Sequence, residues 1–138
     1  MIESKSSPTL ANKPDYKMRD HRKLRAFELA DELTLSVYRF TATFPSDERF
    51  GLTSQMRRSA VSIVSNIVEG CARNTQADYL RFLDIAHGSA RELDYKISLA
   101  KRLGYVDERN VQEIENRSVE TCKVLNGLIA SLRRRPEA

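Results

Sequence analysis

The residues from Phe50 to Arg73, FGLTSQMRRSAVSIVSNIVEGCAR, constrain the fold more than any other stretch. Met56, Ala60, Ile63, Val64, Ile67 and Cys71 follow one another at steps of 4, 3, 1, 3 and 4. That spacing keeps one face of an α-helix apolar, whereas a strand would need a step of two. Thr53 stands where an N-cap hydroxyl is wanted, after Gly51. The opposite face carries Arg58, Ser62, Ser65 and Glu69, again at helical spacing. With its small hydroxyl residues this face can sit in water or let another backbone approach closely. The stretch reads as one helix of a bundle, with an apolar face to bury and a second, small-residue face.

The same period returns three more times. Phe27, Ala30, Leu33, Val37, Phe40 and Phe44 predict a helix over about 24–43, ended by Pro45, which cannot continue the ladder. Asn74 and Thr75 break the second helix, and Thr75 is placed to cap the third. Tyr79, Leu83, Ala86, Ala90, Leu93, Ile97 and Ala100 form a heptad-like seam over about 76–103, closed by Gly104 at a C′ position. Asp107 starts a fourth helix over about 108–134, striped by Val111, Ile114, Ser118, Cys122, Leu125, Ile129 and Leu132. Arg133, Arg134, Arg135 and then Pro136 finish it, with cations at the negative end of the helix dipole. Ser46–Arg49 reads as a junction of one turn. The links are short, so neighbouring helices run antiparallel.

The expected fold is all-α, an antiparallel up-down-up-down four-helix bundle over 19–135. Residues 1–18 are expected to be a mobile tail and 136–138 a short C-terminal tail. A chain of 138 residues suits one domain. Cys71 and Cys122 lie on apolar stripes of different helices and read as small buried residues of a reduced, cytoplasmic protein. The N-terminus has no apolar signal core, and no apolar run reaches the roughly 18 residues of a membrane span.

Candidate chemistry is sparse. Asp84 and His87 form one carboxylate-x-x-His element, but a di-iron bundle needs a second, and none exists. His21, His87 and two isolated cysteines have no zinc spacing, and no phosphate-binding glycine loop occurs. A nucleophile among Ser59, Ser62 and Ser65 would find only Glu69 as a base on its own helix. No catalytic residue, metal or cofactor is expected. Arg57 and Arg58 could grip phosphate, but the favoured reading pairs Arg58 with Glu92 or another carboxylate across helices. Glu69 and Arg73 form a local i, i+4 pair.

Charge is the more informative signal. Residues 1–25 hold seven Lys or Arg against three acids, and the rest of the chain is balanced. In the expected bundle the start of helix one, the second turn and the end of helix four share a pole. That pole gathers Arg19, Arg22, Lys23, Arg25, Arg73, Arg133, Arg134 and Arg135, a candidate nucleic-acid surface.

Gly51-Leu52-Thr53-Ser54-Gln55, Arg57-Arg58, Ser65-Asn66, Glu69-Gly70 and Ser89 with Glu92-Leu93 together resemble the four-helix bundle proteins encoded by intervening sequences of bacterial large-subunit ribosomal RNA genes. The chain is also similar to the accessory protein of diversity-generating retroelements, a basic pentamer that partners a reverse transcriptase and RNA. The resemblance implies a ring-shaped homopentamer. Arg57, Arg58, Ser62, Ser65, Asn66, Glu69, Ser89 and Glu92 then become structural or interface residues. Val64 stands where the family usually has Pro, which predicts a softer kink in helix two. Ala90 replaces a usual Leu. Two readings stay open. One is a non-enzymatic homo-oligomer that binds RNA, DNA or a nucleoprotein partner through its basic surface. The other is a structural or protein-interaction module with no nucleic-acid role.

Overall fold

Helix boundaries follow the breakers. The computed structural model describes residues 19–135, so both expected tails and Pro136 lie outside the described residues. Among the described residues there are four α-helices and no strand: α1 Arg25–Thr41, α2 Leu52–Cys71, α3 Gln76–Arg102 and α4 Glu108–Arg133. Single 3-10 turns at His21–Lys23 and Ser46–Glu48 precede α1 and α2.

Two caps work as the sequence predicts. The Thr75 hydroxyl accepts the Asp78 N–H at 3.1 Å, and the Asp107 carboxylate accepts the Asn110 N–H at 2.9 Å. Gly104 has φ 73° and closes α3 with paired bonds, Gly104 N–H to Lys101 O and Tyr105 N–H to Ala100 O. The start of α2 differs. Thr53 is not the cap, because the helix begins at Leu52 with Gly51 before it and no cap bond from that residue. Glu48 supplies the acceptor instead, taking the Leu52 N–H at 2.9 Å and the Tyr105 hydroxyl at 2.6 Å. A carboxylate held from two sides replaces a local hydroxyl. α2 runs unbroken through Val64. α1 stops at Thr41, before the predicted end. Phe44 still reaches the core, with ring centroids 5.5 Å from Phe40 and 5.3 Å from Tyr105.

Each helix packs on two others, in the cyclic order α1, α2, α3, α4, and among the described residues the backbones of diagonal pairs stay farther apart. Side-chain bonds set antiparallel registers on all four seams: Arg57 to Thr41, Ser62 to Ser89, Asp94 to Ser118, and Arg117 to Glu32. Leu33, Met56, Ile63, Ile67, Leu83, Leu93, Ile97 and Leu125 are fully buried between them. Each such side chain contributes about 1.5–3 kcal/mol of transfer free energy. Polar stripe residues are satisfied: Ser118 donates to Asp94 and Thr121 to the Arg117 carbonyl. Thr121 was absent from the predicted stripe and is fully buried, whereas Cys122, which was in it, is only half-buried. Among the described residues no helix is long and apolar enough to cross a membrane.

Candidate interaction surfaces

The small residues of α2 bring α3 close. At Gly70 an added Cβ would stand 3.1 Å from Phe82 Cβ and 3.3 Å from the Tyr79 carbonyl oxygen, so only glycine fits without displacement. One turn and more back, the Ser62 and Ser89 hydroxyls lie 2.8 Å apart. The Asn66 amide donates to the Ser62 carbonyl at 2.8 Å and to its hydroxyl at 3.2 Å. Lys96 donates to the buried Ser59 at 2.9 Å. Sequence reasoning missed Lys96, because it sits on a different helix from the serine it holds. As an ammonium donor it fixes the Ser59 oxygen as an acceptor, which positions the helices and does not activate the hydroxyl.

The adjacent arginines diverge. Arg57 turns to α1, donating to Thr41 Oγ1 at 2.9 Å and the Tyr38 carbonyl at 3.3 Å, with its guanidinium 4.6 Å above the Tyr38 ring. Arg58 is exposed and reaches only Ser54, at 3.4 Å. The expected Arg58–Glu92 ion pair does not form within the chain. Both line an open groove of about 250 Å³ with Ser62, Ser89 and Lys96, and both are exposed. In water an exposed pair is worth about 0–1 kcal/mol, which does not repay ordering two long side chains. Ser65 and Glu69 are exposed as well, and Glu69 pairs with Arg73 at 3.0 Å.

The pole forms as the topology requires. Arg19 donates to the Arg73 carbonyl at 2.8 Å with its guanidinium 4.1 Å above the Tyr79 ring, and Gln76 donates to the Leu132 and Arg135 carbonyls at 2.9 Å. These bonds join the start of α1, the α2–α3 turn and the end of α4. The charge there is trimmed, however. Arg22 pairs with Asp20, Arg25 with Glu28 and Glu120, Arg73 with Glu69, and Arg133 with Asp84. Hydrogen bonding from Arg22 holds the Asp20 carboxyl below its usual value. Arg134 and Arg135 are exposed and face no carboxylate among the described residues, and Lys23 is exposed and forms no ion pair, with only the Asp20 charge acting on it. The Arg73 Nε is buried without a partner.

Asp84 is spent on Arg133, so the Asp84–His87 element does not develop. No group of three metal-ligating side chains occurs among the described residues. Both cysteines are free. Burial pushes the Cys71 thiol up, against a hydrogen bond with Tyr79, and burial followed by the nearby Asp94 pushes Cys122 up. Neither is an activated thiolate.

A family model described as 23S rRNA-intervening sequence protein matches residues 22–127. The chain is also similar to a solved structure from Bacteroides thetaiotaomicron, described as a protein with unknown function from the S23 ribosomal protein family. That likeness has a TM-score of 0.68 and 28% identity, and covers 75% of this chain and 97% of that one. No curated protein matches.

Proposed function

The chain belongs to the 23S rRNA-intervening sequence protein family, and we propose that it is a non-enzymatic assembly module, a ring of five copies that holds nucleic acid or a nucleoprotein partner against its basic pole. The observation that carries this reading is the convergence of three chain segments at one end of the bundle. It leaves Lys23, Arg134 and Arg135 exposed and outside any ion pair among the described residues. Copies arranged with one polarity would sum these charges into one basic face. Self-association is supported by large apolar side chains left on the outside, among them Leu35, Tyr38, Val61, Ile85 and Tyr95. The ribosomal family of the Bacteroides protein agrees with an RNA setting.

A second reading, a structural or protein-interaction module without a nucleic-acid role, is favoured by one fact. Half of the eight pole cations already form ion pairs. The protein is placed in the cytoplasm on either reading, with no cofactor. Light scattering should give about five times 15.8 kDa. Binding to single-stranded RNA should weaken steeply with salt, and Lys23→Ala with Arg134→Ala and Arg135→Ala should lower it without changing the mass. A monomer mass would refute the assembly, and unchanged RNA binding by the triple variant would refute the pole.

A further inference from the structure

The seam between α3 and α4 is laced with opposite charges at both ends. Asp84 pairs with Arg133 near one end, and Lys101 with Glu115 near the other. Together with the Asp94–Ser118 bond, these pairs fix an antiparallel register. Carried to the middle of the seam, that register sets Arg91 opposite Lys123 and His87 opposite Asn126. Like charges thus meet where the rest of the seam matches unlike ones.

Among the described residues neither forms an ion pair, and one carboxylate, Asp94, lines the groove with the two cations. Arg91 and Lys123 are exposed and have no hydrogen-bond, ion-pair or ring partner among the described residues. Neither cation forms an ion pair along its own helix, where residues three and four apart are the ones that meet. Asp94, three residues after Arg91, accepts from Ser118, and Glu120, three before Lys123, pairs with Arg25 across another seam. The His87 ring and the Asn126 amide are likewise without partners. All four border one groove of about 330 Å³, floored by Val119 and Cys122. Arg91 and Asp94 both lie near enough to act on the Cys122 thiol, which places them at the same part of the floor. The volume is at the lower end of that of small-molecule sites.

We propose that this groove binds a ribose phosphate, either as a unit of an RNA backbone or as a free ribonucleotide. The phosphate lies between Arg91 and Lys123, with the Asn126 amide or the His87 ring as a further donor. A guanidinium and an ammonium facing each other supply charge from both sides of one anion. Asp94, which lines the same groove, is an acceptor that repels a bare anion and suits a sugar hydroxyl beside the phosphate. The half-apolar floor suits the sugar or base face. The proposal deepens the nucleic-acid reading and rests on it only for the polymeric form of the ligand.

The test uses the full chain and three probes: a short labelled oligouridylate, AMP and inorganic phosphate. Arg91→Ala with Lys123→Ala is compared with Arg134→Ala plus Arg135→Ala. Neither of the groove residues holds another, so the melting temperature should stay at the wild-type value and report an intact fold. The groove variant should lose at least tenfold in RNA affinity, with a salt slope reduced by about 1.4 if two single-strand contacts are lost. It should also lose AMP binding, while the pole variant keeps it. Unchanged binding of RNA and AMP by the groove variant overturns the proposal and leaves the pole reading standing. A wild-type protein that binds AMP but not RNA supports the groove and sinks the RNA reading. Binding of neither overturns both, and inorganic phosphate competing as well as AMP overturns the sugar's part.

Discussion

Gly70→Ala isolates what close helix approach is worth. In an ordinary helix interior the change would stabilise by about 1 kcal/mol, since alanine orders at lower entropic cost. Here the new methyl would stand 3.1 Å from Phe82 Cβ, 3.2 Å from Tyr79 Cδ1 and 3.3 Å from the Tyr79 carbonyl. Two of those three atoms cannot swing away, because one is backbone and one is a Cβ. Relief therefore requires α2 and α3 to separate by a few tenths of an ångström just beside their short link. Overpacking of this kind costs about 1–3 kcal/mol. Tyr79 would move with it, and Tyr79 is buried against Cys71 and under Arg19. The overlap outweighs the propensity gain, for a net loss of about 1 kcal/mol, or roughly 3–5 °C in melting temperature for a domain of this size. Gly88→Ala and Gly127→Ala are the controls. Nothing lies within 4 Å of a Cβ at either, so each should gain about 0.5–1 kcal/mol. The three variants are melted by circular dichroism at one protein concentration, with the mass measured alongside. A rise in melting temperature for Gly70→Ala equal to that of the controls would refute the argument from close packing.

Two other expectations follow from the same geometry. The Leu52 N–H, and then the Tyr105 hydroxyl, hold the Glu48 carboxyl below its usual value, so its contribution is present above the unfolded pKa of about 4.3 and is lost as pH falls through the lower folded one. Melting temperature should drop between about pH 5 and 3, and Glu48→Gln should flatten that part of the profile; an identical drop in the variant would remove Glu48 from the explanation. Arg57→Ala loses two bonds and the Tyr38 ring contact and should cost about 1–2 kcal/mol by denaturant melts, whereas Arg58→Ala should stay within about 0.5 kcal/mol. An equal loss for Arg58→Ala would mean that a contact between copies holds it.

Much of this architecture was legible in the residues because it is decided within one helical turn. Apolar steps of three and four define the buried faces of all four helices. Thr75 and Asp107 cap through an N–H three residues on, and Gly104 adopts its positive φ within one turn of the helix it closes. Even the gathering of cations at one pole follows once short links force the helices to alternate. What the residues could not reveal depends on side chains that meet across dozens of positions. The start of α2 is held by Glu48, which is anchored in turn by Tyr105, 57 residues away, so the local candidate Thr53 goes unused. Arg57 and Arg58 are indistinguishable as neighbours, yet one lies against Tyr38 and the other points to water. Arg22, Arg25 and Arg73 meet carboxylates within four residues, but Arg133 is paired by Asp84, 49 residues away, and Arg25 gains a second partner in Glu120, 95 residues away. The facing of Arg91 and Lys123 has the same origin. Period and caps are properties of a single helix, whereas register is a property of two, and only packing a shared core sets it.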